Sequence, residues 1–325
     1  MSLSEKMLIR RIRRLAGAVG KGIVRTGIGE DAAVLGCSPD YETLLTTDFS
    51  LEGVHFRREW HPADSVGHRC LARGLSDIAA MGGEPTAAFL SLALPPELPQ
   101  SWVDLFIKGL LRLANQFNAI LAGGDTASSR DGVLADIIVV GRVPRGKALM
   151  RSGARPGDSI CVTGELGVSG SVLHGLRQGG LNALGSNERA RFKTHAAHFY
   201  PQPRVAVGEW LRERGTAHAA IDVSDGLSTD LAHICEESGV GALIYEAAIP
   251  RQSGLATSSL HYALHGGEDY ELLFTAPADR SIPAKIAGVR ITRIGEVIRG
   301  KDMWLVDSHG QRKPLLPRGW EHFAG

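Results

Sequence analysis

Along the first half of the chain, blocks of branched and small apolar residues alternate with longer stretches whose apolar positions return every three or four residues. The blocks "ETLLTTD", "TAAFLSLALP" and "VLADIIVVGRV" predict β-strands. Between the first two lies "PADSVGHRCLARGLSDIAAMGG", which opens on a proline and stops at a glycine pair. Between the last two lies "SWVDLFIKGLLRLANQFN"; both segments predict helices. The amphipathic, arginine-rich "SEKMLIRRIRRLAGAVG" predicts a docked helix rather than a transit peptide. Around residues 144–158, "PRGKALMRSGARPGD" breaks the pattern and marks a domain junction. A second series follows, with strands at "SICVTG", "HAAIDVS", "GALIYEA", "YELLFTA" and "VRITRIGEVI" and helices at "GSVLHGLRQGG", "PRVAVGEWLRERG" and "STDLAHICEESG". The alternation assigns the chain to the α/β (α+β) class, with domains over residues 1–147 and 148–325. A length of 325 residues agrees, because one hydrophobic core rarely serves so many.

Composition narrows the classes of function. With 43% hydrophobic and 22% charged residues the sequence reads as a soluble globular protein. No apolar run approaches the roughly 20 residues of a membrane span, so no membrane partner is expected. The net charge of +1, with no basic block beyond "RRIRR", leaves no electrostatic footprint of a nucleic-acid binder. Cys37, Cys70, Cys161 and Cys235 lack CxxC spacing, which argues against a zinc site or a disulfide framework and fits a reducing cytoplasm.

Several motif matches fail on context. "GIGEDA" fits the loose dinucleotide fingerprint, but Gly36 and Pro39 cut off the helix that a pyrophosphate needs. "GRVPRGKA" fits a phosphate loop except that Ala148 stands where Ser or Thr would hold magnesium. His261 with His265, and His195 with His198, have helical spacing for a metal but no third ligand of matching type.

The acids carry more information. Lone carboxylates follow glycine-rich turns or close apolar runs, where burying an acid is costly. They are Asp31 in "GIGEDAAVL", Asp48 in "LLTTDFSLEGVHF", Asp77 in "LARGLSDIAAMGG", Asp125 in "AILAGGDT", and Asp222 and Asp225 in "AAIDVSDGLSTDL", with Glu268 and Asp269 in "LHGGEDYELLF" behind them. Singly, each is more often a helix cap or a turn acid. Asp77 is the exception, because on a helix it shares a stripe with Cys70, Gly74 and Met81 on a face otherwise suited to packing. Oxygen ligands without Cys or clustered His select hard cations, magnesium first. Acids alone repel polyphosphate, whereas acids bridged by divalent cations attract it. Asp225 and Gly226 precede a helix N-terminus, which favours phosphate nearby. Arg151, in the junction, reads equally as a planar fork for phosphate oxygens or as an exposed linker residue.

Taken in order, "GIGEDAAVL", "TTDFSLEGVHF", "LSDIAAMGGEP", "GGDT", "RSGARPGD", "VTGELG", "IDVSDGLSTDLAHI", "GGEDYELLFT" and "GWEHF" resemble the thiamine-monophosphate kinases. That family lies in the superfamily of aminoimidazole ribonucleotide synthetase and selenophosphate synthetase. The resemblance implies magnesium-dependent transfer of the ATP γ-phosphoryl group to thiamine monophosphate, with several Mg2+ ions and ATP as co-substrate. Carried over by motif, it implies Asp31, Thr46, Thr47, Asp48, Asp77, Asp125, Asp222 and Asp225 at magnesium. Gly124, Asp125, Arg151 and Ser224 would contact ATP, and His55, Glu268 and Trp320 thiamine monophosphate. Asp48, Asp125, Asp225 and Arg151 would carry the transfer itself.

It further implies two α+β domains of the aminoimidazole ribonucleotide synthetase-like type in a cytoplasmic homodimer. The N-terminal domain would bind ATP and magnesium and dimerise through strands forming a shared barrel, and the C-terminal domain would complete the nucleotide and thiamine phosphate site. The chain departs from the family's usual Asp-Asp after "GIG", having Glu30 before Asp31. A phosphate monoester has a second pKa of about 6, so the acceptor is already anionic and needs no general base. Trp320 reads either as a stacking partner for the cationic thiazolium or as a C-terminal core anchor. The alternatives are an ATP-dependent ligase of the ribonucleotide synthetase kind and a non-catalytic nucleotide- or metal-binding protein.

Overall fold

The computed structural model describes residues 5–17, 23–26, 34–36, 38–185, 187, 192–251 and 260–321. The chain folds into two units. The first comprises Met1–Ile78, Gly83–Gly146 and Phe199–Pro201, and the second Ala79–Gly82, Lys147–His198 and Gln202–Gly325.

In the first unit α1 (Glu5–Ala16) is followed by the short antiparallel pair β1 (Val24–Thr26) and β2 (Val34–Leu35). The main elements are β3 (Tyr41–Leu51), α2 (Ala63–Ala80), β4 (Glu84–Leu94), α3 (Gln100–Gln116), β5 (Ile120–Ser128) and β6 (Leu134–Pro144). The sheet order is β3-β6-β4-β5, antiparallel except for the β4–β5 pair. The strand-like blocks become strands because alternate residues, Ala135, Ile137 and Val139 on β6, are wholly buried against the helical layer. That layer supplies Leu71, Leu75 and Ile78 from α2 and Phe106, Leu110 and Leu113 from α3. The N-terminal helix docks as expected, with Ile12 and Ala16 against the core and Arg11 ion-paired to Asp104.

Glycine sets the crossing of α2 and α3. A Cβ at Gly67 would lie 1.9 Å from Phe106 O, and one at Gly109 1.9 Å from Asp64 O. Backbone meets backbone there. Gly67→Ala is expected to destabilise the protein by about 1–3 kcal/mol, the usual cost of forcing atoms into a packed interior; an unchanged urea midpoint would contradict this crossing.

One segment differs from its expected role. "AILAGGDT" was expected as an acidic turn and is the edge strand β5, paired with β4 through Gly123 and Gly124. Gly124 has φ of 148°, and a Cβ there would stand 1.9 Å from Leu90 O, so only glycine lets the strand close on its neighbour.

The second unit holds β7 (Ser159–Thr163), α4 (Val168–Gly179), α5 (Val205–Arg214), β8 (Ala219–Val223), α6 (Leu227–Ser238), β9 (Gly241–Tyr245), α7 (Leu260–His265), β10 (Glu271–Ala276), β11 (Lys285–Ile286), β12 (Val289–Ile298), β13 (Met303–Val306) and β14 (Arg312–Pro314). They form an eight-stranded sheet ordered β14-β13-β9-β12-β7-β10-β8, with β11 paired to β12. β7, β8 and β10 are buried along their whole length, which explains their mostly apolar sequences. No helix among the described residues is long and apolar enough to cross a membrane.

The segment Phe199–Pro201 belongs to the first unit although its sequence neighbours belong to the second. Ser65 Oγ donates to Phe199 O at 2.7 Å, His68 Nε2 to Pro201 O at 2.7 Å, and Tyr200 OH to the Asp64 carboxylate at 3.2 Å.

Candidate active site

In the first unit, strand alternation sends Thr46 and Asp48 of β3 to the face covered by α2 and Thr47 to the other face. Gly74 lets the helix approach, since a Cβ there would lie 2.5 Å from Val139 Cγ2 and 3.5 Å from Thr46 Cγ2. One turn further along α2, Asp77 reaches β3. Thr46 Oγ1 donates to the Asp77 carboxylate, and Asp48 and Asp77 share a hydrogen bond. Two carboxyl groups so bonded need a proton between them. Burial first, then the Asp77 charge, push the Asp48 carboxyl up to about 7 against the pull of Arg73.

These donors fit a hard divalent cation, which would replace the shared proton and let both acids ionise. Cys70, on the same helix, is no competing ligand, because burial pushes its thiol up to about 12.

On the opposite face Thr47 Oγ1 donates to Asp136 at 2.7 Å. Asp136 stands in register with Phe49 on β3 and Ser91 on β4, and Ser91 with Asp125 on β5. Asp125 is exposed, and its carboxylate accepts the Thr126 N–H at 2.8 Å. The sequence reading missed Asp136, although its signal was there: a lone acid inside the apolar run of β6. His55 lies in the turn after β3, where its Nδ1 accepts the Leu51 N–H at 3.0 Å, leaving Nε2 to carry the proton of the neutral ring. Asp31 and Glu30 fall outside the described residues.

In the second unit the site builds on the turn between β8 and α6. Asp222 is buried near the end of β8, opposite Leu272, while Ser224 and Asp225 are half-buried. Gly226 has φ of 116°, and a Cβ there would meet His265 C at 2.9 Å. Asp230, missed as a functional residue, points back along α6 and its Oδ2 accepts the Asp225 N–H at 3.2 Å and the Gly226 N–H at 2.9 Å. Burial, reinforced by Asp222 and Asp225, pushes its carboxyl well above the usual range. Donor atoms of Asp225, Asp230 and His233 all lie within 4.8 Å of one another.

Two further candidates join this turn through the main chain. The Glu268 N–H donates to Ser224 O at 2.7 Å, and the Trp320 N–H to Asp225 O at 2.9 Å. Trp320 is 46% exposed, which counts against the reading of it as a core anchor. Gly319 makes the strap possible, because a Cβ would lie 2.1 Å from Asp225 O. The fold thus gathers Asp222, Ser224, Asp225, Glu268 and Trp320 around one turn.

The main chain at Arg151 is tied to the other end of the same elements. Met150 O accepts the Ala220 N–H at 2.9 Å near the start of β8, and Arg151 O accepts from Ser238 Oγ at 3.3 Å at the far end of α6. Ser238 is the last of the 12 residues of α6, about 18 Å along the axis from Gly226 at 1.5 Å per residue. One member of each histidine pair is engaged in a hydrogen bond: His265 Nδ1 meets Ser228 Oγ at 2.8 Å, and His198 Nδ1 meets Ser169 Oγ at 2.9 Å.

Two family models match the chain. Residues 29–143 match the family model for AIR synthase related protein, N-terminal domain, and residues 155–307 the model for its C-terminal domain. The thiamine-monophosphate kinase of Salmonella typhimurium is 39% identical over 313 residues, covering 93% of each chain. A crystal structure of the Stenotrophomonas maltophilia thiamine-monophosphate kinase superposes with a TM-score of 0.84 at 36% identity, covering 96% of this chain and 99% of that one. A solved complex of AaThiL with AMPPCP and TMP gives 0.77 at 32% identity, covering 89% of each. The chain therefore belongs to the AIR synthase related proteins, and within them to the thiamine-monophosphate kinase family.

Proposed function

We propose that this protein is a thiamine-phosphate kinase: the terminal phosphate oxygen of thiamine monophosphate attacks the ATP γ-phosphorus in line, the bond to the β-phosphate oxygen breaks, and thiamine diphosphate and ADP leave. The observation that carries the reading is the meeting of Thr46, Asp48 and Asp77 between β3 and α2, which supports a divalent-cation site there in a chain 39% identical to a kinase of this specificity.

Thr46, Asp48 and Asp77 in the first unit, and Asp222 and Asp225 in the second, are the residues we assign to magnesium, with Asp31, Thr47 and Asp125 as further candidates. Magnesium, when bound, offsets the charge of the phosphate oxygens and steadies the leaving group. Gly124, Arg151 and Ser224 are assigned to ATP. Catalysis is then placement in line, with charge neutralised by Arg151 and by the metal that Asp48, Asp125 and Asp225 would hold, because the acceptor oxygen is already anionic and needs no base. His55 offers Nε2–H to the acceptor phosphate, Glu268 a carboxylate to its cationic part, and Trp320 an exposed ring face.

Trp320→Ala is expected to raise the KM for thiamine monophosphate by roughly 2- to 30-fold, the equivalent of a cation–π contact of about 0.5–2 kcal/mol. Steady-state kinetics check this, and an unchanged KM refutes the contact.

A homodimer completed through β3 belongs to the same proposal. β3 is an edge strand, and Leu45 and Phe49 on its outward face are 71% and 55% exposed, as suits strands shared with a second copy in a barrel. Cys70, Cys161 and Cys235 are free and buried, which supports a reducing cytoplasmic setting. The direct test is turnover with ATP and magnesium, offering thiamine and thiamine monophosphate in parallel. Thiamine diphosphate plus ADP is the expected product, and a ring-closed purine precursor in a parallel ligase assay would favour the ribonucleotide synthetase reading instead.

A further inference from the structure

Among the described residues, the non-glycine positions with left-handed backbone are Asn118, Glu268, Tyr270 and Ala287. Two of them bracket a single residue, Asp269, with φ of 64° at Glu268 and 51° at Tyr270. A bulky aromatic residue in that region is an outlier, and backbone held there marks places where geometry is prescribed.

The bend is pinned from several sides. Asp269 is buried, and its carboxylate accepts the Gly167 N–H at 2.7 Å and the Ser169 N–H at 3.2 Å, at the first turn of α4. Those bonds offset part of the cost of burying the acid, although burial still pushes its carboxyl up to about 8. On either side of it, the Glu268 N–H donates to Ser224 O at 2.7 Å and the Tyr270 N–H to Val223 O at 2.9 Å. Just beyond, buried Glu271 accepts Thr163 Oγ1 at 2.5 Å and Arg204 Nε at 2.6 Å. Asp269 and Glu271 therefore anchor inward, and half-buried Glu268 sits on the bend they hold beside Ser224 and Asp225.

We propose that Asp269 is a positioning residue for acceptor recognition: its buried carboxylate fixes the left-handed bend that presents the Glu268 carboxylate to the cationic acceptor. This rests on the assignment of Glu268 to the acceptor. Asp269 touches neither substrate and acts through its neighbour.

The test measures the KM for thiamine monophosphate and for ATP in Asp269→Asn, Glu268→Ala and the double variant. Asp269→Ser serves as a second replacement, and every assay runs well below the melting midpoint recorded for that preparation. The Asp269 variants are expected to raise the acceptor KM at least about tenfold while the ATP KM stays within about twofold, a split that general loosening of the fold does not produce. The double variant is expected to be no worse than Glu268→Ala, because a pin with nothing to present adds no further loss. Multiplying losses in the double variant overturn the inference, as do an equal rise in the ATP KM or an unchanged acceptor KM in the Asp269 variants. If Glu268→Ala itself leaves the acceptor KM unchanged, the assignment of Glu268 fails, and the inference falls with it.

Discussion

Asp48→Asn is expected to lower phosphoryl transfer by at least about three orders of magnitude, the equivalent of about 4 kcal/mol of lost transition-state stabilisation. The substitution keeps the size of the side chain but replaces a carboxylate by an amide, a far poorer magnesium ligand. It also relieves the like-charge pair with Asp77, so the variant is expected to be at least as stable as the parent without metal. Asp225→Asn, at the β8–α6 turn, is expected to act the same way on turnover. Comparable thermal midpoints with lost activity would assign these acids to the reaction. Full turnover in either variant would remove it from the metal set.

The second large effect concerns the metal itself. Chelator-treated protein is expected to bind a non-hydrolysable ATP analogue at least about 100-fold more weakly than protein in excess magnesium, because uncompensated carboxylates repel the phosphates. The pH dependence follows from Asp48. Its carboxyl is raised from 3.8 to about 7 in the folded chain, so in metal-free protein its contribution to stability is fully present below pH 3.8 and is lost as pH rises toward 7. Magnesium binds the ionised form and reverses that loss. The rise in melting midpoint on adding magnesium is therefore expected to be larger at pH 8 than at pH 5.5. Calorimetry reads both quantities, and nucleotide held equally tightly after chelation would refute the metal-bridged account.

Much of this arrangement was legible in the residues. The strands β3, β4 and β6 and the helices α2 and α3 follow from apolar spacing, and Asp77 stood out because a packing stripe contained an acid. The edge strand β5 was not legible, since its glycines normally signal a turn and here serve close pairing to Leu90. β13 was missed because four residues between polar flanks carry too short an alternation to register. Thr46 and Thr47 looked equivalent in sequence, yet a period of two places them on opposite faces of the sheet. Asp230 and Asp136 were passed over because an acid in a helix or strand interior gains meaning only from what folding brings beside it. The tie of the Arg151 main chain to the far end of α6 depends on the length of that helix between two loops, which no local motif encodes.

The excursion of Phe199–Pro201 into the first unit has a consequence for biogenesis. Ser65 and His68 are buried, and the carbonyls they donate to are made more than 130 positions later. On the ribosome, the leading half must wait until β7, α4 and the segment after them have emerged before its last interior donors find acceptors. A gene split at the junction near residue 146 would then yield an N-terminal product that misfolds or associates when expressed alone, and that recovers when the remainder is supplied in trans.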